Sequence, residues 1–419
     1  MKTILVIIIL FASLSVARGQ QWRVYTQHNS GLPGHPVSSL AYDEKEHCIW
    51  MNAKGTFTKF DWINWVVYDT SNSPLLYSTY KTIAIDSHNT KWIGSISGGM
   101  FKFDGINWTI FDTSNSPITS QYIWVIHIDE SDIKWIGTLS NGLLKLEDTT
   151  WTIYDEQNSG IPERRIRALN SENHIKWIGT NSKGIGRFND TSWTIYNSTN
   201  SGISYDRISD IDIDRENNKW ISTSGGGLNK FNSIDSIWSV YFNPGFITCS
   251  LIDDSQNIKW MGSTGGGLYK FYNDTGLVNY TPDNSPMPSY AVYDLSLDSN
   301  GNLWIATAGG LAVFNETGII SGVNDPGIIN TPVSVRLFQN YPNPFNPETR
   351  IKYALKNSGN VKLSVFDITG KLIQILVNEN QKTGDYEVLF DGQSLPSGAY
   401  FYKIETADYN ETRLMMLVK

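Results

Sequence analysis

The groups with which this chain could do chemistry are six histidines, a recurring aspartate and a scatter of aromatic and cationic residues. His28, His35, His47, His88, His127 and His174 show no His-x-x-x-His spacing, and the two cysteines, Cys48 and Cys249, are too far apart in sequence to make half of a zinc site. Aspartates recur at Asp43, Asp86, Asp129, Asp214, Asp253 and Asp298. Such a ring could supply carboxylates for calcium or for acid–base work. Each is followed by polar turn residues, however, and turn capping explains the recurrence. Neither a Gly-x-Ser-x-Gly elbow nor a phosphate loop occurs. No cofactor or metal is expected.

A second set stands out because it breaks a repeated pattern. Trp124 occupies a position where other copies of the repeat have Lys81, Ile166 or Tyr293, and Tyr122, Arg165, Arg167 and Arg207 lie close by in equivalent stretches. Repeated positions are held by packing, so residues that differ are freer to serve a ligand. Mixed aromatic and cationic groups at a channel mouth suit a flat polar ligand such as a sugar or a peptide. Trp62 is the other departure. It stands where the next copy has a turn glycine, Gly105, and is expected to present an aromatic face on the opposite side.

The pattern being broken is a repeat of four short strands. Lys91-Trp92-Ile93-Gly94, Lys134-Trp135-Ile136-Gly137 and Lys176-Trp177-Ile178-Gly179 belong to seven versions of one string, whose tryptophans fall 40 to 44 residues apart up to Trp304. A glycine-bearing turn, a strand ending in Phe or Leu, a second Trp and an Asn-Ser corner follow in most copies. Before each string lies an alternating segment such as Thr82 to Asp86, the innermost strand. Units of this length and strand count predict an all-β fold, a seven-bladed β-propeller over residues 20–315. The seventh copy stops after Phe314, and Trp22-Arg23-Val24-Tyr25 is the unattached strand that would complete it. All tryptophans except Trp62 and Trp124 fall at repeat positions, where packing between blades accounts for them.

Those strings resemble the two-component regulator propeller family, in which such propellers often form the extracytoplasmic sensing part of hybrid histidine kinases. The tail carries a second resemblance. Tyr341-Pro342-Asn343-Pro344-Phe345, the Phe366-Asp367 to Gly370-Lys371 corner, Ser397-Gly398-Ala399-Tyr400 and the closing Leu414 to Lys419 are similar to the type A C-terminal sorting domain of the type IX secretion system. That implies an immunoglobulin-like β-sandwich over residues 336–419, reached by a linker over 316–335. It also implies the secretion machinery as a partner. Residues 1–19, with Lys2, an apolar run from Ile4 to Val16 and Ala17-Arg18-Gly19, read as a signal peptide.

Composition narrows the function. The formal charge is −8 and 18% of residues are charged, which gives no footprint for nucleic acid, and no membrane span is expected once the signal is removed. The expected product is a secreted or surface-held, non-catalytic recognition protein for an extracellular glycan, peptide or protein. Two alternatives remain open. One is a propeller enzyme, lyase or glycan-cleaving, for which His127 is the only histidine in an inner strand. The other is a sensory partner of a separate two-component system.

Overall fold

The computed structural model describes residues 21–320 and 335–419, apart from 77–78, 243–244, 273–274, 339, 341–342 and 356. The signal-peptide stretch and most of the linker lie outside the described residues. The chain divides into two compact units, Met1–Gly322 and Val323–Lys419.

The first unit is seven four-stranded antiparallel sheets. Six are continuous in sequence, within residues 37–68, 80–111, 123–154, 166–196, 208–242 and 247–280, and are called blades one to six. The seventh combines Val292–Leu297, Leu303–Thr307 and Gly310–Phe314 with the N-terminal strand Trp22–Tyr25, which pairs antiparallel to the last of these with Trp22 opposite Phe314 and Tyr25 opposite Leu311. The ring thus closes with first and last strands in one sheet, and the seventh blade has four strands like the others. Inner strands touch their neighbours all the way round, the seventh against the first.

A separate apolar cluster fills each of the seven gaps between blades. Trp50 and Phe57 of blade one meet Ile83 and Phe103 of blade two, and equivalent sets recur around the ring. Four of the Trp-Ile-Gly or Trp-Met-Gly glycines sit where a Cβ would come within 2.7 Å of the next blade's first inner-strand residue, as Gly94 does against Ile123 and Gly137 against Ile166. Those glycines therefore set how closely blades pack. Cys48 and Cys249 are both buried free thiols in these clusters.

The Asp positions behave as turn caps. Asp86 Oδ1 accepts from the backbone N–H of His88 and Thr90, at 3.0 and 2.8 Å, while Oδ2 accepts from the Trp92 indole at 2.9 Å. Asp129, Asp214 and Asp298 repeat the indole bond at 2.8 to 3.0 Å, and in blade four Glu172 takes the role with Trp177.

The second unit is a sandwich of a three-stranded and a four-stranded sheet. Glu348–Leu355 pairs with Gly384–Asp391 in one, and Gly359–Asp367 with Leu372–Gln381 and Gly398–Glu405 in the other. Tyr353, Leu363, Val365, Phe390 and Tyr402 make its core. The Tyr402 hydroxyl donates to the Phe338 carbonyl and accepts from the Asn340 N–H, both at 2.8 Å, which anchors the entry segment. Phe345 exchanges backbone bonds with Met416 and Val418, so the chain at this residue lies along the last strand. Ahead of this unit, residues 316–320 stay with the propeller, where the Ile320 N–H donates to Asn302 Oδ1 at 3.0 Å.

Candidate functional site: cations on an aromatic face at one channel mouth

Every inner strand carries a register shift at its start, between Val37 and Ser39, Tyr80 and Thr82, Ile123 and Val125, Ile166 and Ala168, Ile208 and Asp210, Ile247 and Cys249, and Val292 and Asp294. A bulge leaves one residue out of the ladder and re-aims its side chain. The seven residues so released are Ser38, Lys81, Trp124, Arg167, Ser209, Thr248 and Tyr293, all half-buried. They form one ring at one mouth of the channel. Small members of the ring bridge to the next blade: Ser38 Oγ donates to the Tyr80 carbonyl at 3.1 Å and Thr248 Oγ1 to the Val292 carbonyl at 2.7 Å.

Lys81, Trp124 and Arg167, on adjacent blades, meet. The Arg167 guanidinium carbon lies 4.0 Å from the Trp124 ring centroid, and Lys81 Nζ lies 5.6 Å from it. Tyr122 stacks on Trp124 with centroids 5.2 Å apart and planes 13° from parallel. No carboxylate pairs with either cation among the described residues. Arg167 has a long bond to Asn181 Oδ1 at 3.4 Å, and its Nε is buried without a hydrogen-bond partner. Burial, then the nearby Arg207 cation, brings Arg167 down to about 10, and burial, then Arg167, lowers Lys81. Arg167 still carries its charge at neutral pH, and two cationic side chains are held together at a cost that an incoming anion would offset.

The remaining expected site residues are placed as follows. Arg207 and Arg165 are exposed, with Arg207 near Arg167 and no side-chain contact between Arg165 and Trp124. Tyr293 belongs to the bulge ring but sits in blade seven, away from the Trp124 group. Trp62 corrects the sequence reading. It is 4% exposed and packs on Trp304 of blade seven at 4.7 Å, so it is a core residue and presents no face to a ligand. Its positive φ of 76° shows that it keeps the turn geometry for which Gly105 uses 98°, while the indole swings inward.

Across the ring the channel wall is acidic. Asp210 and Asp294 each bond a backbone N–H of the next blade, Ser250 and Leu40, at 2.8 Å, so both stitch inner strands together. Burial raises both acids, Asp294 to about 7, and raises Asp212, beside Asp210, as well. His127 is neutral at physiological pH, pushed down to about 4 by burial, and its Nε2 bonds Ser171 Oγ at 2.8 Å. Two groups bring possible metal ligands within 4.8 Å of one another, Asp43 with Glu46 and Cys48, and Asp86 with His88 and Asp132. A lysine ammonium already bonds two carboxylates in each, Lys91 in the first and Lys134 in the second.

The role of those lysines is what sequence reasoning missed. Lys91 lies over Trp50 of the preceding blade at 5.0 Å, Lys134 over Trp92, Lys176 over Trp135, Lys219 over Trp177 and Lys259 over Trp220. Lys91, Lys134, Lys176 and Lys219 pair with the carboxylate that caps that tryptophan's turn. The signal was present: a lysine precedes the tryptophan in five of seven strings. Its partner lies one repeat upstream, which spacing alone does not disclose.

Comparisons with known proteins agree with this architecture. Residues 339–418 match the secretion system C-terminal sorting domain family, and residues 286–309 match the two component regulator propeller family. No curated protein sequence matches the chain. Among solved structures, the extracellular domain of a protein described as a hybrid two component system from B. thetaiotaomicron is similar at 16% identity and TM-score 0.61, covering 95% of this chain and 57% of that one. PorZ, a surface component of the type-IX secretion system of Porphyromonas gingivalis, is similar at 18% identity and TM-score 0.56, covering 91% of this chain and 59% of its own. This chain therefore spans less than two thirds of either. Virginiamycin B lyase from Staphylococcus aureus is similar at 12% identity and TM-score 0.57, covering 70% of this chain and 98% of its own. At these identities the likeness is one of fold. The sorting domain directs the protein through type IX secretion to the cell surface or outer membrane.

Proposed function

We propose that this exported propeller with its sorting domain is a non-catalytic recognition protein for a flat ligand bearing an anionic group. A carboxylated or sulfated sugar, or a peptide with an acidic side chain, has that chemistry. The observation that carries the reading is the Lys81–Trp124–Arg167 group, two cations on one indole with no carboxylate beside them and a buried guanidinium N–H left unbonded. A sugar ring or planar amide would lie against the exposed part of the aromatic group, and its anion would bond Arg167 and Lys81. The similarity to the extracellular domain of a hybrid two component system protein supports recognition outside the cell. The test is an array of neutral and acidic glycans and peptides probed with the full mature chain. Hits confined to acidic members support the reading, and retention of neutral members alone contradicts it.

A further inference from the structure

The seven blade interfaces are not finished alike on the face opposite that mouth. Five place a lysine of one blade over the tryptophan of the blade before it. The equivalent positions are fixed by register: Lys91, Lys134, Lys176, Lys219 and Lys259 pair across their ladders with Phe103, Leu146, Phe188, Phe231 and Phe271. At the same register position blade one has Ile49, opposite Phe60, and blade seven has Leu303, opposite Phe314. Between blades seven and one, Trp62 fills the vacated space against Trp304. Between blades six and seven no side chain among the described residues does so, and a cleft of about 110 Å³ remains, lined by Asp253, Gln256, Trp260, Leu303, Phe314 and Glu316 among others.

The cleft has the parts that elsewhere hold a lysine ammonium. Its floor is the buried Asp253 carboxylate, 3% exposed, beside the buried Trp260 face. Gln256 and Glu316, both exposed, stand at the opening. Asp253 Oδ2 is met by a neutral amide, Gln256 Nε2 at 3.0 Å, where Asp43, Asp86, Asp129 and Glu172 meet a lysine. That oxygen has a second lone pair to offer. The nearest cation, Lys270, lies 5.7 Å from the Trp260 centroid and is paired with Glu316 at 2.6 Å. Sibling blades show that a strand-three lysine does not exclude the incoming one: Trp92 has Lys102 at 5.4 Å and Lys134 at 5.2 Å together.

We propose that the cleft between blades six and seven is a binding site for a primary ammonium on an unbranched alkyl chain, the end group of a lysine side chain. The ligand would enter beside Gln256, lay its methylenes along Leu303 and Trp260, and place its ammonium on Asp253. The protein thus carries four internal examples, at Lys91, Lys134, Lys176 and Lys219, of the complex that this site would form with an outside partner.

The test uses the full mature chain and n-butylammonium as probe, with n-butanol and butyltrimethylammonium as controls, read by saturation-transfer NMR and titration. Wild type is expected to bind butylammonium at least about tenfold more tightly than either control, as one charge-assisted contact implies. Leu303→Lys restores the sibling arrangement, so it is expected to abolish probe binding and to raise the unfolding temperature, while Leu303→Met leaves binding in place. Equal binding of butanol would overturn the proposal, as would probe binding that survives Leu303→Lys or a Leu303→Lys chain that unfolds below wild type.

Discussion

The molecule uses one contact, a cation on a tryptophan face, in two settings. At the blade interfaces Lys91, Lys176, Lys219 and Lys259 are buried over their tryptophans and Lys134 is half-buried. Of these, Lys91, Lys134, Lys176 and Lys219 are paired with the carboxylate that caps that tryptophan's turn, as Lys176 is with Asp129 at 3.2 Å over Trp135. At the channel mouth Lys81 and Arg167 share Trp124, and no carboxylate among the described residues joins them. Charge that is paired and buried holds a fold together, because removing one partner strands the other in a poor solvent. Unpaired charge gathered in one place costs stability, and a protein that keeps it leaves room for a counter-charge from outside. On the function proposed above, the difference separates scaffold from ligand site.

The largest expected effect contrasts the two tryptophans that depart from the repeat. Trp62→Ala empties the blade seven to blade one gap and is expected to cost about 3–5 kcal/mol. Trp124→Ala, at a half-buried position outside the core clusters, is expected to cost about 1 kcal/mol or less. Chemical denaturation of both variants checks this, and similar losses would erase the distinction. The ion pairs give the next contrast. Asp129→Ala leaves Lys176 buried without its partner and is expected to destabilise by about 3 kcal/mol or more, whereas Arg167→Ala relieves repulsion and leaves the unfolding midpoint unchanged or slightly raised.

That contrast also marks how far the sequence could be read. Blade number, the closing pair of Trp22–Tyr25 with Leu311–Phe314 and the turn-capping aspartates follow from periodicity, because each depends on residues close in sequence or on one missing strand. The grouping of Lys81, Trp124 and Arg167 was legible for the same reason, since equivalent positions in adjacent repeats become neighbours. The bulge that turns them toward the channel was not, because a one-residue register shift leaves no compositional mark. Trp62 was misread because a large aromatic at a turn position suggests exposure. Its true neighbour, Trp304, lies at the far end of the repeat array and is reached only by ring closure.

A smaller effect comes from the acidic side of the channel. Burial raises Asp294 to about 7, well above the roughly 3.9 of an unfolded chain. Between those values the unfolded form has lost the proton and the folded form keeps it, so this carboxyl's contribution to stability is greatest below about pH 4, falls as pH rises, and levels off above about pH 7. Asp294→Asn is expected to flatten that slope in unfolding midpoints taken from pH 4.5 to 7.5, even though it weakens the bond to Leu40. An unchanged slope would show that the carboxylate is ionised throughout, held by its two backbone N–H donors.

The central claim is that the unpaired cations at the mouth await an anion, and one measurement addresses it directly. The strongest acidic hit from the array is titrated calorimetrically into wild type, Arg167→Ala, Lys81→Ala and Lys176→Ala. The account predicts that each mouth variant weakens binding roughly tenfold or more with no loss of stability, while Lys176→Ala destabilises the fold and leaves the affinity of the folded protein unchanged. Equal affinity in wild type and both mouth variants would contradict it.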